Sequence, residues 1–426
     1  MLLAGFARAD VTPTQGAPKI GNLAFHVGVR ADGALFARIA ALDDGRTRLV
    51  IAALDALSVG AAVVARIRAE LPGAHVMVSA THTHASGALV RCGEVEADGA
   101  YQDRVVAAVV SAAADAIAQM RPAELATART MEASLPHNRR VVQRDGTVRT
   151  HGTLAEPEAL WIEGPIDPEL TVIAIRDRER GSPLGCLVNF TLHPTDHGDD
   201  DVFSAGWPGM LAARLEATGM PETVFLNGAL GDVHPMDPTR GGAMPSMSTI
   251  SSRLAAHVTG VLSELAYRDE VSLSAVSTHV ELPFRALDGR RSRGEQRFGD
   301  DDLYDRMIAA VEREVAAEGT QAAEVQALGI GRHLLVGMPG ELFAALGLAV
   351  KQAAYPRRAL VVGLANGMVG YVPTREALQR GGYEATLSTV SKLAPEAGEQ
   401  LVRAAASLTP RPPDVEPNRP ARRDDT

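Results

Sequence analysis

The feature that most constrains this chain is a rhythm. Short apolar runs, FARIAALDD (36–44), RTRLVIAALDAL (46–57) and AHVMVSA (74–80), alternate with longer Ala-rich stretches, VGAAVVARIRAEL (59–71) and YQDRVVAAVVSAAADAIAQM (101–120), whose apolar residues recur at helical spacing. Further strands are expected at ELATARTMEASL, LTVIAIRDR, PLGCLVNFTLH, PETVFLNG, VSLSAVSTHVELPF, QALGIGRHLLVGM and RALVVGLANG. Further helices are expected at WPGMLAARLEAT, STISSRLAAHVTGVLSELA, DDLYDRMIAAVEREVAAEG, GELFAALGLAVKQAA and PEAGEQLVRAAASL. Neither kind of element can bury its apolar side alone. The pattern therefore predicts an α/β fold: a single large domain over residues 1–408, with one central, mixed, twisted sheet flanked by helices. The tail TPRPPDVEPNRPARRDDT (409–426) is proline-rich and charged, without an aliphatic face, and is expected to be flexible.

Composition narrows the class of partner. The net charge of −10, with no Lys/Arg-rich block, excludes a sequence-independent nucleic-acid binder, which needs clustered cations to displace counterions. No apolar run approaches the length of a bilayer span, so no stable membrane insertion is expected. The start MLLAGFARADVTPTQG lacks a basic n-region, and the two cysteines, Cys92 and Cys186, make no disulfide framework; both point to the cytoplasm. A small-molecule substrate is the expected partner. Self-association is left open.

The chemistry-bearing residues cluster at strand ends, where open α/β sheets place ligands. His82 and His84 follow AHVMVSA, and in an extended segment residues i and i+2 face the same space. His193 and His197 follow PLGCLVNFTL, Asp232 and His234 follow ETVFLNGALG, Glu341 follows HLLVGMPG, and Tyr371 follows RALVVGLANGMVG. Imidazole with carboxylate is a ligand set suited to Zn²⁺. Six further histidines, His26, His75, His151, His257, His279 and His333, show no grouping and read as structural or surface residues.

These motifs resemble those of the neutral ceramidases, zinc-dependent amidases that cleave the N-acyl bond of ceramide. SATHTHASG is similar to the family's SGTHTHSGP, NFTLHPT to its NWFAVHGT, PHNRRVV to its NINRSP, NGALGDVHP to its NVGDVSP and MPGELF to its PGEFT. GLANGMVGYVPTREALQRGGYEAT and the opening ARADVTP match in the same order, from residue 7 to about 386. The resemblance implies zinc on His82, His193, Glu341 and Tyr371. It further implies His84 and Arg139 on the substrate side of the metal and Tyr383 in the same pocket, with Gly21 of PKIGN near the site.

The chain departs from that pattern in places. His234 stands where the family's GDVSP has a serine regarded as essential for ceramide cleavage. An imidazole there would act as a general acid or base, or bind a second cation with Asp232 or His197. No counterpart of the family's C-terminal β-sandwich is expected, and MDPTRGGAMPSMS holds no amphipathic element for docking on lipid. The expected reaction is hydrolysis of a C–N amide bond, N-acyl or cyclic, in a small soluble substrate. Arg139 and His84 would stabilise the oxyanion, His84 or His234 would pass a proton, and Asp232 and Tyr383 would contact substrate. One alternative is a two-metal esterase or phosphoesterase using His82, His84, His193, His197, Asp232 and His234. The other is a non-catalytic metal-binding protein on the same scaffold.

Overall fold

The computed structural model describes residues 1–263, 265–287 and 293–409, so the expected tail, apart from Thr409, lies outside the described residues. The larger sheet has eight strands: β1 (Leu3–Asp10), β2 (Phe36–Asp43), β3 (Arg48–Leu54), β4 (His75–Ala80), β5 (Arg121–Met131), β6 (Glu169–Asp177), β7 (Pro183–Phe190) and β8 (Thr223–Asn227). Their spatial order is β8-β7-β6-β5-β1-β2-β3-β4. The interior pairs are antiparallel, whereas β3/β4 and β7/β8 are parallel. Each parallel pair needs a crossover, provided by α1 (Ala61–Ala69) and α3 (Gly206–Ala217).

The large mixed sheet that the rhythm predicts is present, and a smaller four-stranded sheet stacks against it. A second sheet contains β9 (Leu273–Pro283), β10 (Thr320–Ile330), β11 (His333–Gly337) and β12 (Arg358–Val362), in that order, with only β11/β12 parallel. The run QALGIGRHLLVGM is therefore two strands joined by a tight turn at Gly331. The sheets face each other through a shared core in which Ala40, Leu42, Leu49, Ile51 and Met77 meet Leu328, Leu335, Leu360 and Val362. The opposite face of β2–β4 packs on α1 and α2 (Gly99–Ala118). That of β6–β8 packs on α3 and α4 (Met247–Leu262), and the outer face of the second sheet packs on α6 (Ala344–Ala353) and α8 (Ala397–Ser407). Two further helices, α5 (Asp301–Glu318) and α7 (Arg375–Arg380), lie outside these layers.

The result is four layers, α/β/β/α. Burial on both faces explains why RLVIAAL and HVMVSA read as continuous apolar runs instead of alternating. Each fully buried Leu, Ile or Val contributes about 1.5–3 kcal/mol, so the stacked layers dominate stability. Strand β1, which carries no β-branched residue, has no strand signature in the sequence. It is fixed by packing: a Cβ on Gly5 would lie 2.0 Å from the Ala116 carbonyl of α2.

The two edges of the larger sheet curl toward each other, with β12 wedged between them. Asn227 Nδ2 donates to Thr81 O (3.1 Å), Asn189 Nδ2 to Val361 O (2.9 Å), and Gly363 N to Asn227 O (2.9 Å). On the other side Asn366 N donates to Val78 O (2.8 Å). The C-terminal ends of β4, β7, β8, β11 and β12 thereby meet in one place.

Candidate metal centre and active site

Three imidazoles meet there. His82 Nε2 lies 3.0 Å from His193 Nε2 and 3.3 Å from His84 Nε2, and the three candidate ligand atoms fall within 4.8 Å of one another. His82 Nδ1 donates to Leu57 O (2.8 Å) and His193 Nδ1 to Leu230 O (3.3 Å), while the Gly21 backbone bonds the His84 ring. Spending Nδ1–H on a carbonyl leaves Nε2 with a bare lone pair. Lone pairs converging at 3 Å repel unless a cation lies between them, and backbone-anchored imidazoles of this kind are the hallmark of metal ligation. Burial holds His84 and His193 well below the usual imidazole range, reinforced by His82 for the former and by Arg139 for the latter. His82 has φ 74°, a left-handed conformation costly for a non-glycine residue.

Glu341 joins the three rings. Its Oε2 is 3.3 Å from His82 Nε2 and 3.8 Å from His193 Nε2, yet this buried oxygen has no hydrogen-bond partner. A buried carboxylate oxygen without a donor is expensive, and a divalent cation among the imidazoles would satisfy it. The donor set thus fits a metal, and the structure groups His84 with the ligand-capable histidines instead of leaving it on the substrate side alone.

Tyr371 sits opposite Glu341 in a two-residue parallel ladder, Glu341–Leu342 against Tyr371–Val372. Its hydroxyl accepts from Arg139 Nη2 (3.2 Å), and burial with the neighbouring Glu341 pushes the phenol well above its usual range. Arg139 also donates from Nη2 to Gly231 O (2.8 Å) and from Nε to Glu384 Oε1 (2.7 Å). Among the described residues its Nη1 has no hydrogen bond. Glu384, fully buried, accepts in addition from Arg140 Nη1 and Thr150 Oγ1, both at 2.7 Å. Burial alone would raise this carboxyl, but the two guanidiniums outweigh it and hold it at about 2. Tyr383 packs edge-on against Tyr371, ring centroids 5.7 Å apart.

Two of the expected site residues turn away from open chemistry. Asp232 Oδ1 accepts from Ala344 N (2.7 Å) at the start of α6 and Oδ2 from Asn138 Nδ2 (2.6 Å), so both oxygens tie strand ends together instead of facing substrate. Burial raises this carboxyl to about 7. His234 Nδ1 accepts from Met236 N (3.0 Å), which fixes the proton on Nε2, and Nε2–H donates to Thr195 Oγ1 (2.9 Å). That tautomer cannot take a proton from the Thr195 hydroxyl, so the pair is not a nucleophile and its base. His197 bonds Asp200 (2.6 Å). With Asp232, His234 and His197 so engaged, no second ligand cluster forms among the described residues.

Other residues enter the site unannounced by the sequence. His151, expected to be structural or at the surface, packs edge-on against His234 with ring centroids 4.6 Å apart. Burial, then Arg139, lowers it to about 4. Glu384, Thr195 and Cys92 had no periodicity or spacing to mark them. Gly21 packs against His84: with φ 141°, a Cβ there would fall 2.0 Å from the His84 carbonyl. Beside the histidines opens a cavity of about 670 Å³, lined at this end by Gly21, His82, His84, Glu341, Tyr371 and Tyr383.

No family model matches the sequence, and no curated protein matches it. Solved structures do. The chain is similar to a ceramidase complexed with C2, with a TM-score of 0.71 and 18% identity over 96% of this chain and 75% of that one. It is similar likewise to the neutral ceramidase from Pseudomonas aeruginosa, with a TM-score of 0.71 and 20% identity over 96% of this chain and 74% of that one. The fold of this chain is the neutral ceramidase fold.

Proposed function

We propose that this protein is a ceramidase-like, zinc-dependent hydrolase that cleaves a carbon–nitrogen amide bond, N-acyl or cyclic, in a small molecule. The observation that carries the reading is the convergence of three imidazoles, two of whose Nε2 atoms lie within 4 Å of the orphaned Glu341 oxygen, at the end of a cavity. His82, His84, His193 and Glu341, with Tyr371 beside them, would hold the ion. A bound Zn²⁺ supplies Lewis acidity toward a carbonyl and acidifies a water at neutral pH.

The chain's own residues do the rest. Arg139 is a buried cation kept charged against desolvation by Tyr371 and Glu384, and Nη1 is its donor left for a developing oxyanion. Its three other bonds fix it before substrate arrives, so little reorganisation is needed. Thr195, oriented by His234 Nε2–H, keeps its own hydroxyl hydrogen free to hydrogen-bond the leaving nitrogen, whose proton comes from the attacking water. His234 in place of the family's hydroxyl argues against ceramide itself. The two free, buried cysteines support a reducing, cytoplasmic setting. No helix among the described residues is long and apolar enough to cross a membrane. A panel of small N-acyl compounds and lactams tests the proposal: turnover by zinc-loaded wild type and its loss in His193→Ala support it, and no turnover across the panel refutes it.

A further inference from the structure

The three imidazoles of the metal centre are not held alike. His82 and His193 are fully buried, and each ring is tied to a backbone carbonyl, Leu57 O and Leu230 O. His84 is only half-buried, and two segments from elsewhere in the chain support it. The Gly21 backbone hydrogen-bonds its ring. On another side runs the loop 194–200. There Pro194 O accepts from His84 N (3.4 Å), and Gly198 packs against the side chain, where a Cβ would lie 3.7 Å from His84 Cβ and 3.9 Å from Nδ1.

Lys19 joins both supports. It precedes Gly21 by two residues in the short strand Pro18–Ile20, which pairs with Ser86–Gly87 just after His84. Its side chain is 1% exposed, and Nζ donates to three carbonyls of the loop, His197 O, Gly198 O (3.2 Å) and Asp200 O (2.6 Å). Three acceptors need three hydrogens, so the group is an ammonium. Burial lowers its pKa, and Asp200, Asp199 and Asp201 oppose that fall. Carbonyl oxygens turned toward one point repel each other unless a cation lies among them. His197 also sits at φ 58°, a left-handed strain that a non-glycine residue keeps only where its surroundings enforce it. Asp199 and Asp200 are exposed, so water would reach the carbonyls of an opened loop and the cost of losing the ammonium would stay local.

We propose that Lys19 is a positioning residue for the metal centre, its ammonium closing the loop 194–200 onto His84. On the metal-binding part of the proposed function, from which this follows, the closed loop aims the His84 ring at the point that the other two Nε2 atoms share. The substrate plays no part in it.

Zinc affinity of the intact protein, read by competition with a chromogenic chelator, is the test. Lys19→Met is expected to weaken zinc binding by about 10- to 100-fold, the usual effect of losing a group that orients a ligand. In a His84→Ala background the same substitution is expected to change affinity by less than about 2-fold, because the ring through which Lys19 acts is gone. A lysine that merely stabilises the fold would lower affinity equally in both backgrounds. If Lys19→Met does not fold, Lys19→Ala prepared with propylammonium, which replaces the missing side chain and its charge, is expected to regain wild-type affinity, and 1-propanol is expected to give no rescue. Unchanged affinity in Lys19→Met, an equal loss in both backgrounds, or no rescue by the amine overturns the proposal while leaving the metal reading in place. Wild type that binds no zinc sinks the metal reading itself.

Discussion

Glu341 and Tyr371 stand directly opposite each other across a two-residue parallel ladder, with Glu341 N donating to Gly370 O (3.0 Å). Helix α6 and strand β12 lie between them in the chain, yet the ladder delivers a carboxylate and a phenol side by side to the three histidines. Metal affinity should therefore depend on Glu341 as strongly as on the rings. Glu341→Gln is expected to weaken zinc binding by at least about 100-fold, read by competition with a chromogenic chelator. Unchanged affinity would remove Glu341 from the ligand set.

Stability should follow the metal. Stripping zinc from wild type with a chelator is expected to cost about 4 kcal/mol where free zinc had stood a thousandfold above its dissociation constant. Urea unfolding with and without chelator measures it. His193→Ala should already show the lower stability and respond little to the chelator.

Glu384 is the one anion shared by Arg139 and Arg140 in a fully buried site. Glu384→Gln takes the paired carboxylate from Arg139, while Arg140 keeps Glu163, and is expected to cost about 3–5 kcal/mol, with a fall in kcat larger than the rise in KM because Arg139 is no longer held. A variant of wild-type stability and kcat would show that Arg139 needs no such support.

Imidazole at position 234 should matter for its hydrogen bonds and not its proton. Glutamine can accept from Met236 N and donate to Thr195, so His234→Gln is expected to keep kcat within about 3-fold, whereas loss of a general acid costs about 100-fold or more. The kcat ratio decides which.

Asp55 gives a pH signature in stability. It accepts from Phe36 N (2.9 Å), but burial lifts its carboxyl from 3.8 to about 6. The folded state thus holds this proton more tightly than the unfolded chain. The site contributes fully below about pH 4 and loses about 3 kcal/mol as pH rises through about 6. Asp55→Asn, which can still accept from Phe36, is expected to exceed wild type in stability above about pH 6 and to match it near pH 4. Chemical denaturation at both pH values checks this, and an advantage of equal size at both would contradict the shift.

The strand-and-helix rhythm fixed the α/β class, and the strand ends at His82, His84, His193, Glu341 and Tyr371 marked the site, because both signals are local. An apolar run shows where a strand stops, and whatever polar residue follows it stands at the sheet's end. What lay beyond local reach was decided by packing between distant segments. A continuous apolar run reports burial on both faces but not whether a helix or a second sheet does the burying, so four layers could not be told from three. Glu384 meets Arg139 across 245 residues, and His151 meets His234 only because the short ladder at His137–Asn138 pairs with Val233–His234. The hydrogen bonds that fill both oxygens of Asp232 and both nitrogens of His234 come half from backbone groups, Ala344 N and Met236 N, and half from the side chains of Asn138 and Thr195, which no local pattern reveals. Residue type named the chemistry available at each strand end; tertiary structure decided which atoms were left free to use it.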